Sequence, residues 1–207
     1  MIKSICATLL LCSLSSYNFD FKYSNKDQFV QGITECTVHF NTAIPPQYRA
    51  IVVVSVAQAA LESSWGESRF ARLGNNFYGM IETDNTKPHI KALDSNILLR
   101  KYGIIETDST EPHMKSKNSN VLLKKYLNKC ESVADYITLL NTGTQFEAYR
   151  EVRNKETVTQ EVNLDEIINT LHTFALDKDY TNKIKKTVDY LLREYPEIFL
   201  IVKGQDV

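Results

Sequence analysis

The segment Ile51-Val52-Val53-Val54-Ser55-Val56-Ala57-Gln58-Ala59-Ala60-Leu61 constrains this chain more than any other. A run this apolar all round belongs in a core. Its first half, Ile51 to Val56, has strand propensity. The Ala, Gln, Leu and Glu residues that follow favour helix, and the whole run is too long for one strand. We expect a central buried helix from about Gln47 to Ser63, opened by Pro45-Pro46, because proline suits a first helical turn.

Helical signals surround it. A first helix is expected from about Asn25 to Phe40, and another from Asp165 to Phe174. Ser132 with Asp135 three residues on reads as a capping box, with Val133, Ile137 and Leu140 on one face of the helix it opens. Residues Glu156 to Asn163 are polar and β-branched and read as a surface connection. Ile184, Val188, Leu191, Leu192 and Tyr195 mark a last amphipathic helix, stopped by Pro196.

Between these helical stretches lies a tandem repeat with a period of 24 residues, spanning 78–125. Tyr78-Gly79-Met80-Ile81-Glu82-Thr83-Asp84 recurs as Tyr102-Gly103-Ile104-Ile105-Glu106-Thr107-Asp108. Pro88-His89, Ser95-Asn96 and Leu98-Leu99 recur as Pro112-His113, Ser119-Asn120 and Leu122-Leu123. Two copies are too few for a solenoid, so the expected result is an enlarged lobe or a looped-out copy within one domain.

A chain of 207 residues buries a sizeable single core. The formal net charge of −1 gives no electrostatic case for nucleic acid or an anionic membrane surface. No internal stretch approaches the roughly 20 apolar residues of a membrane span. Met1-Ile2-Lys3, the apolar run from Ile5 to Leu14, and the small residues Ser13 and Ser15 read as a secretory signal over residues 1–15. The mature domain would then be 16–207, periplasmic or extracellular. Cys12 is preceded by Leu11 where a lipoprotein site wants a small residue, which argues against lipidation. Cys36 and Cys130 remain in the mature chain, either as a disulfide or as two small buried thiols.

Chemistry concentrates where the apolar run ends, at Glu62, followed by the chain's single tryptophan, Trp65. A carboxyl group partly desolvated beside an aromatic ring keeps its proton to higher pH, because burial disfavours the charged form. Such an acid can protonate the leaving oxygen of a glycosidic bond. The four histidines show no metal-ligand spacing, and no glycine-rich phosphate loop occurs, so neither metal nor cofactor is implied. Oligomeric state leaves no sequence signal.

Positions 57–79, Ala57-Gln58-Ala59-Ala60-Leu61-Glu62-Ser63-Ser64-Trp65-Gly66 through Asn75-Asn76-Phe77-Tyr78-Gly79, resemble the motif of glycoside hydrolase family 73, the bacterial glucosaminidases, and especially its Bax-type branch. The stretches Cys130 to Tyr136, Leu140-Asn141-Thr142 and Ala148-Tyr149-Arg150 resemble further blocks of it. The resemblance implies a mainly α, lysozyme-like α+β fold with a small β lobe, here carrying the repeat. It implies cleavage of the β-1,4 bond after N-acetylglucosamine in peptidoglycan glycan strands, with Glu62 as the acid. It places Trp65, Asn75, Asn76 and Tyr78 at the substrate and Tyr180 in the cleft. A second carboxylate would come from the lobe, where Glu82 is preferred to Asp84, Glu106 or Asp108.

The family block Tyr-Ala-Thr-Asp-Pro-x-Tyr stands here as Phe174-Ala175-Leu176-Asp177-Lys178-Asp179-Tyr180. Phe174 lacks the first hydroxyl and Leu176 replaces the threonine, which motivates an alternative: a weakened, wall-binding scaffold on the same fold. Chitin-like or glycoprotein N-acetylglucosamine chains form a third substrate reading.

Overall fold

The computed structural model describes residues 25–83, 86–87, 89–91, 122–159 and 162–203. Its elements in chain order are α1 (Lys26–Ala43), α2 (Val52–Ser63), α3 (Arg69–Gly74), β1 (Ile81–Glu82), β2 (His89–Lys91), β3 (Leu122–Lys124), α4 (Lys129–Thr142), α5 (Glu147–Thr159), α6 (Leu164–Thr170), α7 (Tyr180–Glu194) and α8 (Pro196–Lys203). The expected mainly helical fold with a small β lobe is the one observed. The expected leader at 1–15 and most of the second repeat copy, with Glu106, Asp108 and His113, lie outside the described residues, as does Asp84.

The apolar run forms α2, and every residue from Val52 to Ala60 is buried. α1 and α7 pack on it, and α1 also packs on α4. The helix starts five residues later than the expected Gln47. Pro46–Tyr48 form a single 3-10 turn, and Arg49 leaves it in extended conformation. Asn41 explains the delay: its side chain donates to the Ala50 carbonyl at 2.8 Å and accepts from the Ala50 N–H at 2.9 Å. That pair holds the backbone straight just before α2.

Two other expectations are corrected, and a third holds with an addition. The capping box of α4 is Asn128 and Glu131, not Ser132 and Asp135. Asn128 accepts from the Glu131 N–H, and Glu131 returns by accepting from the Leu127 N–H. Ser132 instead accepts from the Phe77 N–H, while Asp135 binds Lys124 and Tyr126. The polar stretch from Glu156 is helical to Thr159 as the end of α5. Pro196 ends α7 as expected but also opens α8, where its missing N–H costs nothing.

Cys36 on α1 and Cys130 on α4 are joined in a disulfide across 94 residues of chain. The bridge ties the helices before and after the lobe. Closing a loop of that length in the unfolded chain is worth about 2–5 kcal/mol. Reducing the bridge, or Cys36→Ser, should lower the unfolding free energy by about that amount, read by urea titration with and without reductant. An unchanged midpoint would refute the assignment.

The lobe is a three-stranded antiparallel sheet in the order β1-β3-β2. Ile81 pairs with Leu123, and Ile90 with the same residue from the other side. β1 and β2 belong to the head of repeat copy one, whereas β3 is the tail of copy two. One complete unit is thus assembled from two halves. Deleting residues 97–120 joins Asn96 to Val121 and shortens the β2–β3 connection from the 30 residues 92–121 to six. Six residues is an ordinary antiparallel connection. The deletion variant should therefore fold with an equal or higher urea midpoint; a molten or aggregated product would show that the described sheet does not suffice for the lobe.

Candidate active site

Glu62 sits in the last turn of α2 and is half-buried. Directly after it the chain makes a turn in which Ser64, Trp65 and Gly66 all adopt positive φ, at 52°, 58° and 82°. Left-handed backbone costs a residue with a Cβ roughly 1–2 kcal/mol, so Ser64 and Trp65 must be held by neighbours, whereas Gly66 adopts it freely. Ser63 does much of the holding. Its hydroxyl donates to the Ala59 carbonyl at 2.6 Å and accepts from the Gly66 N–H at 2.8 Å, and its carbonyl accepts from the Ser68 N–H. The Trp65 N–H closes on the Ala60 carbonyl at 2.9 Å. This turn stops α2 immediately beyond Glu62 and folds Trp65 back onto the helices.

Trp65 is half-buried against α1 and α7. Phe29 meets it edge-on at 5.9 Å, Tyr190 at 5.6 Å, and the Lys26 ammonium lies 4.5 Å from the ring centroid. These contacts pack the ring between α1 and α7.

Asn75 and Asn76 fasten the lobe to the helices. Asn75 caps α3 in left-handed conformation, and its amide donates to the Tyr126 carbonyl at 3.1 Å and the Leu127 carbonyl at 3.3 Å. Asn76, almost fully buried, donates to the Met80 and Lys124 carbonyls and accepts from the Met80 N–H. Gly79, at φ 63°, completes the turn into β1. Both asparagine amides therefore serve the main chain of the lobe.

Tyr180 is brought to Glu62. Its hydroxyl lies within hydrogen-bonding reach of the carboxyl group and accepts from the Gln58 amide at 3.0 Å. Burial, then the neighbouring Glu62 charge, pushes the phenol well above its ordinary pKa, so it remains a neutral hydrogen-bonding group. Phe174 lies parallel to Tyr180 with centroids 5.9 Å apart, and contacts Tyr136 and Phe146 as well. The hydroxyl it lacks is thus missing from an aromatic cluster. Asp177 anchors the turn before α7 by binding Lys183 at 2.6 Å and accepting from the Asp179 N–H, which holds its carboxyl below the ordinary range. Leu176, at the threonine position, is exposed.

Tyr78 has no exposed surface. Its hydroxyl hydrogen-bonds Ser55 at 2.8 Å and its ring stacks on Tyr136 at 4.0 Å, so it supports the site from beneath. Glu82 on β1 is 8% exposed, within electrostatic reach of Tyr126. Tyr126 donates to Asp135 at 2.5 Å, and its burial beside that carboxylate raises its pKa strongly.

Sequence reasoning passed over Gln58, Ser55 and Tyr136. The signal was present: Ser55, Gln58 and Glu62 are polar residues of a helix otherwise apolar up to Ser63 at its end, at spacings of three and four that share one face. Among the described residues no group of three or more His, Cys, Asp or Glu is arranged to hold a metal ion, and no helix is long and apolar enough to cross a membrane.

Residues 43–192 match the family model described as Glucosaminidase, mannosyl-glycoprotein endo-beta-N-acetylglucosaminidase. The exo-glucosaminidase LytG of Bacillus subtilis is 30% identical over 164 residues, covering 78% of this chain and 51% of that protein. The chain therefore spans about half the length of that relative. In fold it is similar to the catalytic domain of the Listeria monocytogenes autolysin Auto, with a TM-score of 0.57 at 20% identity over 88% of this chain and 90% of the other. The glycoside hydrolase domain of Salmonella typhimurium FlgJ superposes with a TM-score of 0.54 at 16% identity, over 87% and 97% of the two chains. With its helical frame, small lobe and Glu62 at the end of the buried helix, the chain belongs to the glucosaminidase family of glycoside hydrolases.

Proposed function

We propose that this protein is an exported peptidoglycan hydrolase that cleaves the β-1,4 bond after N-acetylglucosamine, with Glu62 as the general acid. One observation carries the reading: the half-buried Glu62 carboxyl, at the end of a buried helix and ahead of a strained turn, lies within hydrogen-bonding reach of the Tyr180 phenol. Glu62 protonates the leaving oxygen as the bond to the sugar's anomeric carbon breaks. Water then attacks the oxocarbenium-like carbon. Glu82, on the lobe, is the carboxylate assigned to activate that water or stabilise the cation. An N-acetyl group on the substrate offers the alternative of internal assistance. Trp65, Asn75, Asn76 and Tyr78 shape the site by holding the turn and the lobe.

Export belongs to the same reading. A disulfide such as Cys36–Cys130 persists in an oxidising compartment, where peptidoglycan also lies. Internal cleavage of the strand is the mode proposed; release of terminal units alone would place the enzyme with an exo mode instead.

The second reading, a wall-binding scaffold with weak or no turnover, is favoured by Phe174 standing in the aromatic cluster beside Tyr180. Digesting purified sacculi, reducing the products with borohydride and weighing them separates the two. Wild type should give reduced N-acetylglucosamine ends, and Glu62→Gln should lose at least about 100-fold in rate with an unchanged unfolding midpoint. Retained activity in Glu62→Gln would remove Glu62 from the mechanism. Sacculus binding without products would select the scaffold, and faster turnover on chitooligosaccharides than on sacculi would select the third substrate class.

A further inference from the structure

Gln58 has no exposed surface and lies one helical turn before Glu62 on α2. Its amide oxygen accepts from the Tyr136 hydroxyl at 2.5 Å, and its amide nitrogen donates to the Tyr180 oxygen at 3.0 Å. Tyr180 in turn meets Glu62. The direction of this series follows from counting protons. Among the described residues Gln58 is the sole hydrogen-bond partner of the Tyr136 hydroxyl. Turning the amide over would leave the fully buried Tyr136 proton with no acceptor, an unfavourable state for a buried donor. Tyr136 therefore orients Gln58. A phenol has one proton, so a Tyr180 oxygen that already accepts from Gln58 still has its own proton to give.

We propose that Gln58, oriented by Tyr136, is a positioning residue that keeps the Tyr180 hydroxyl a hydrogen-bond donor to Glu62. The inference rests on Glu62 acting as the acid. A phenol free to accept would compete with the substrate for the acid proton of Glu62. Held as a donor, it engages the carboxyl oxygen without the proton and leaves the other oxygen to protonate the glycosidic oxygen. After transfer the same hydrogen bond stabilises the carboxylate left behind, a gain that grows as the charge develops.

The titratable groups facing this series come from several elements. Tyr180 faces Glu62 on α2 and Asp177 in the turn before α7, the latter paired with Lys183. Tyr136 on α4 faces Tyr149 on α5, Tyr78 and Tyr180. Asp177 is held ionised by its lysine, and burial keeps the Tyr136 and Tyr180 phenols neutral, so Glu62 is the group whose titration reports the hydrogen bond.

The test uses Gln58→Met, Gln58→Glu, Tyr180→Phe and the Met/Phe double variant. Each is assayed for kcat and KM on sacculi across pH, and for titration of the Glu62 side-chain carboxyl carbon by NMR without substrate. Loss of a hydrogen bond to a charged group predicts a fall in kcat of about 10-fold or more, with KM changed less than about twofold. Because the lost bond favoured the charged form, the Glu62 titration should move upward by about 0.5–1 pH unit. Tyr180→Phe should reproduce both changes, and the double variant should be no worse than Tyr180→Phe alone. Gln58→Glu keeps the volume and the acceptor for Tyr136 but, once ionised, draws the Tyr180 proton away from Glu62. While protonated in its buried site it still donates to Tyr180 as the amide does, so the same loss should appear only as pH rises through its own titration, a readout that stands even if Gln58→Met folds poorly.

Additive single effects, or a lower melting temperature with the Glu62 titration unmoved, would overturn the proposal in favour of plain packing. The NMR arm needs no turnover. If sacculi are not cleaved, or Glu62→Gln stays active, the hydrolase reading fails while the titration still decides the hydrogen-bond series.

Discussion

Burying a helix on every side makes each polar atom it carries a liability unless a partner is built for it. α2 carries Ser55, Gln58 and Glu62 on one face, and the surrounding structure supplies their partners. Thr37 on α1 and Tyr78 meet Ser55, Tyr136 on α4 meets Gln58, and Tyr180 on α7 meets both Gln58 and Glu62. Three tyrosines, distant in sequence, thus converge on one helical stripe. That requirement for polar satisfaction inside an apolar helix fixes how α1, α4 and α7 are arranged, and it leads in steps from the deep core to the half-buried acid.

The lobe is joined to this core by a different device. Asn75 and Asn76 bind backbone carbonyls near β1 and β3, Tyr126 returns its N–H to the Gly74 carbonyl, and Ser132 of α4 receives the Phe77 N–H. These are bonds between chain segments that no local rule would pair. They place the sheet carrying Glu82 against the helices while the Cys36–Cys130 bridge ties α1 to α4. That sheet is made from both ends of a duplicated segment.

Much of this was legible in residues. The apolar run at 51–61 called for a central helix because no strand is that long, and the spacing from Glu62 through Trp65 to Asn75-Asn76 marked a candidate site. Where local reading failed, long-range contacts had intervened. Asn41 delays the start of α2 by bracketing Ala50. Ser132 and Asp135 looked like a cap, yet they are drawn to Phe77, Lys124 and Tyr126, and Asn128 with Glu131 caps instead. Gln58 and Tyr136 were passed over because the sequence shows a buried polar side chain without showing the partner that the fold brings to it.

What the sequence determined by itself is therefore the helix-rich framework, the identity of the candidate acid and the family. These depend on side-chain periodicity and on a short continuous motif, both local quantities. Only the tertiary structure decided that Cys36 and Cys130 are bonded, that Tyr78 is wholly buried against Ser55, that the sheet joins copy one to copy two, and that Gln58 bridges Tyr136 and Tyr180. Each of these is a contact between residues 20 or more positions apart. Their geometry depends on the packed core rather than on the residues beside them in the chain.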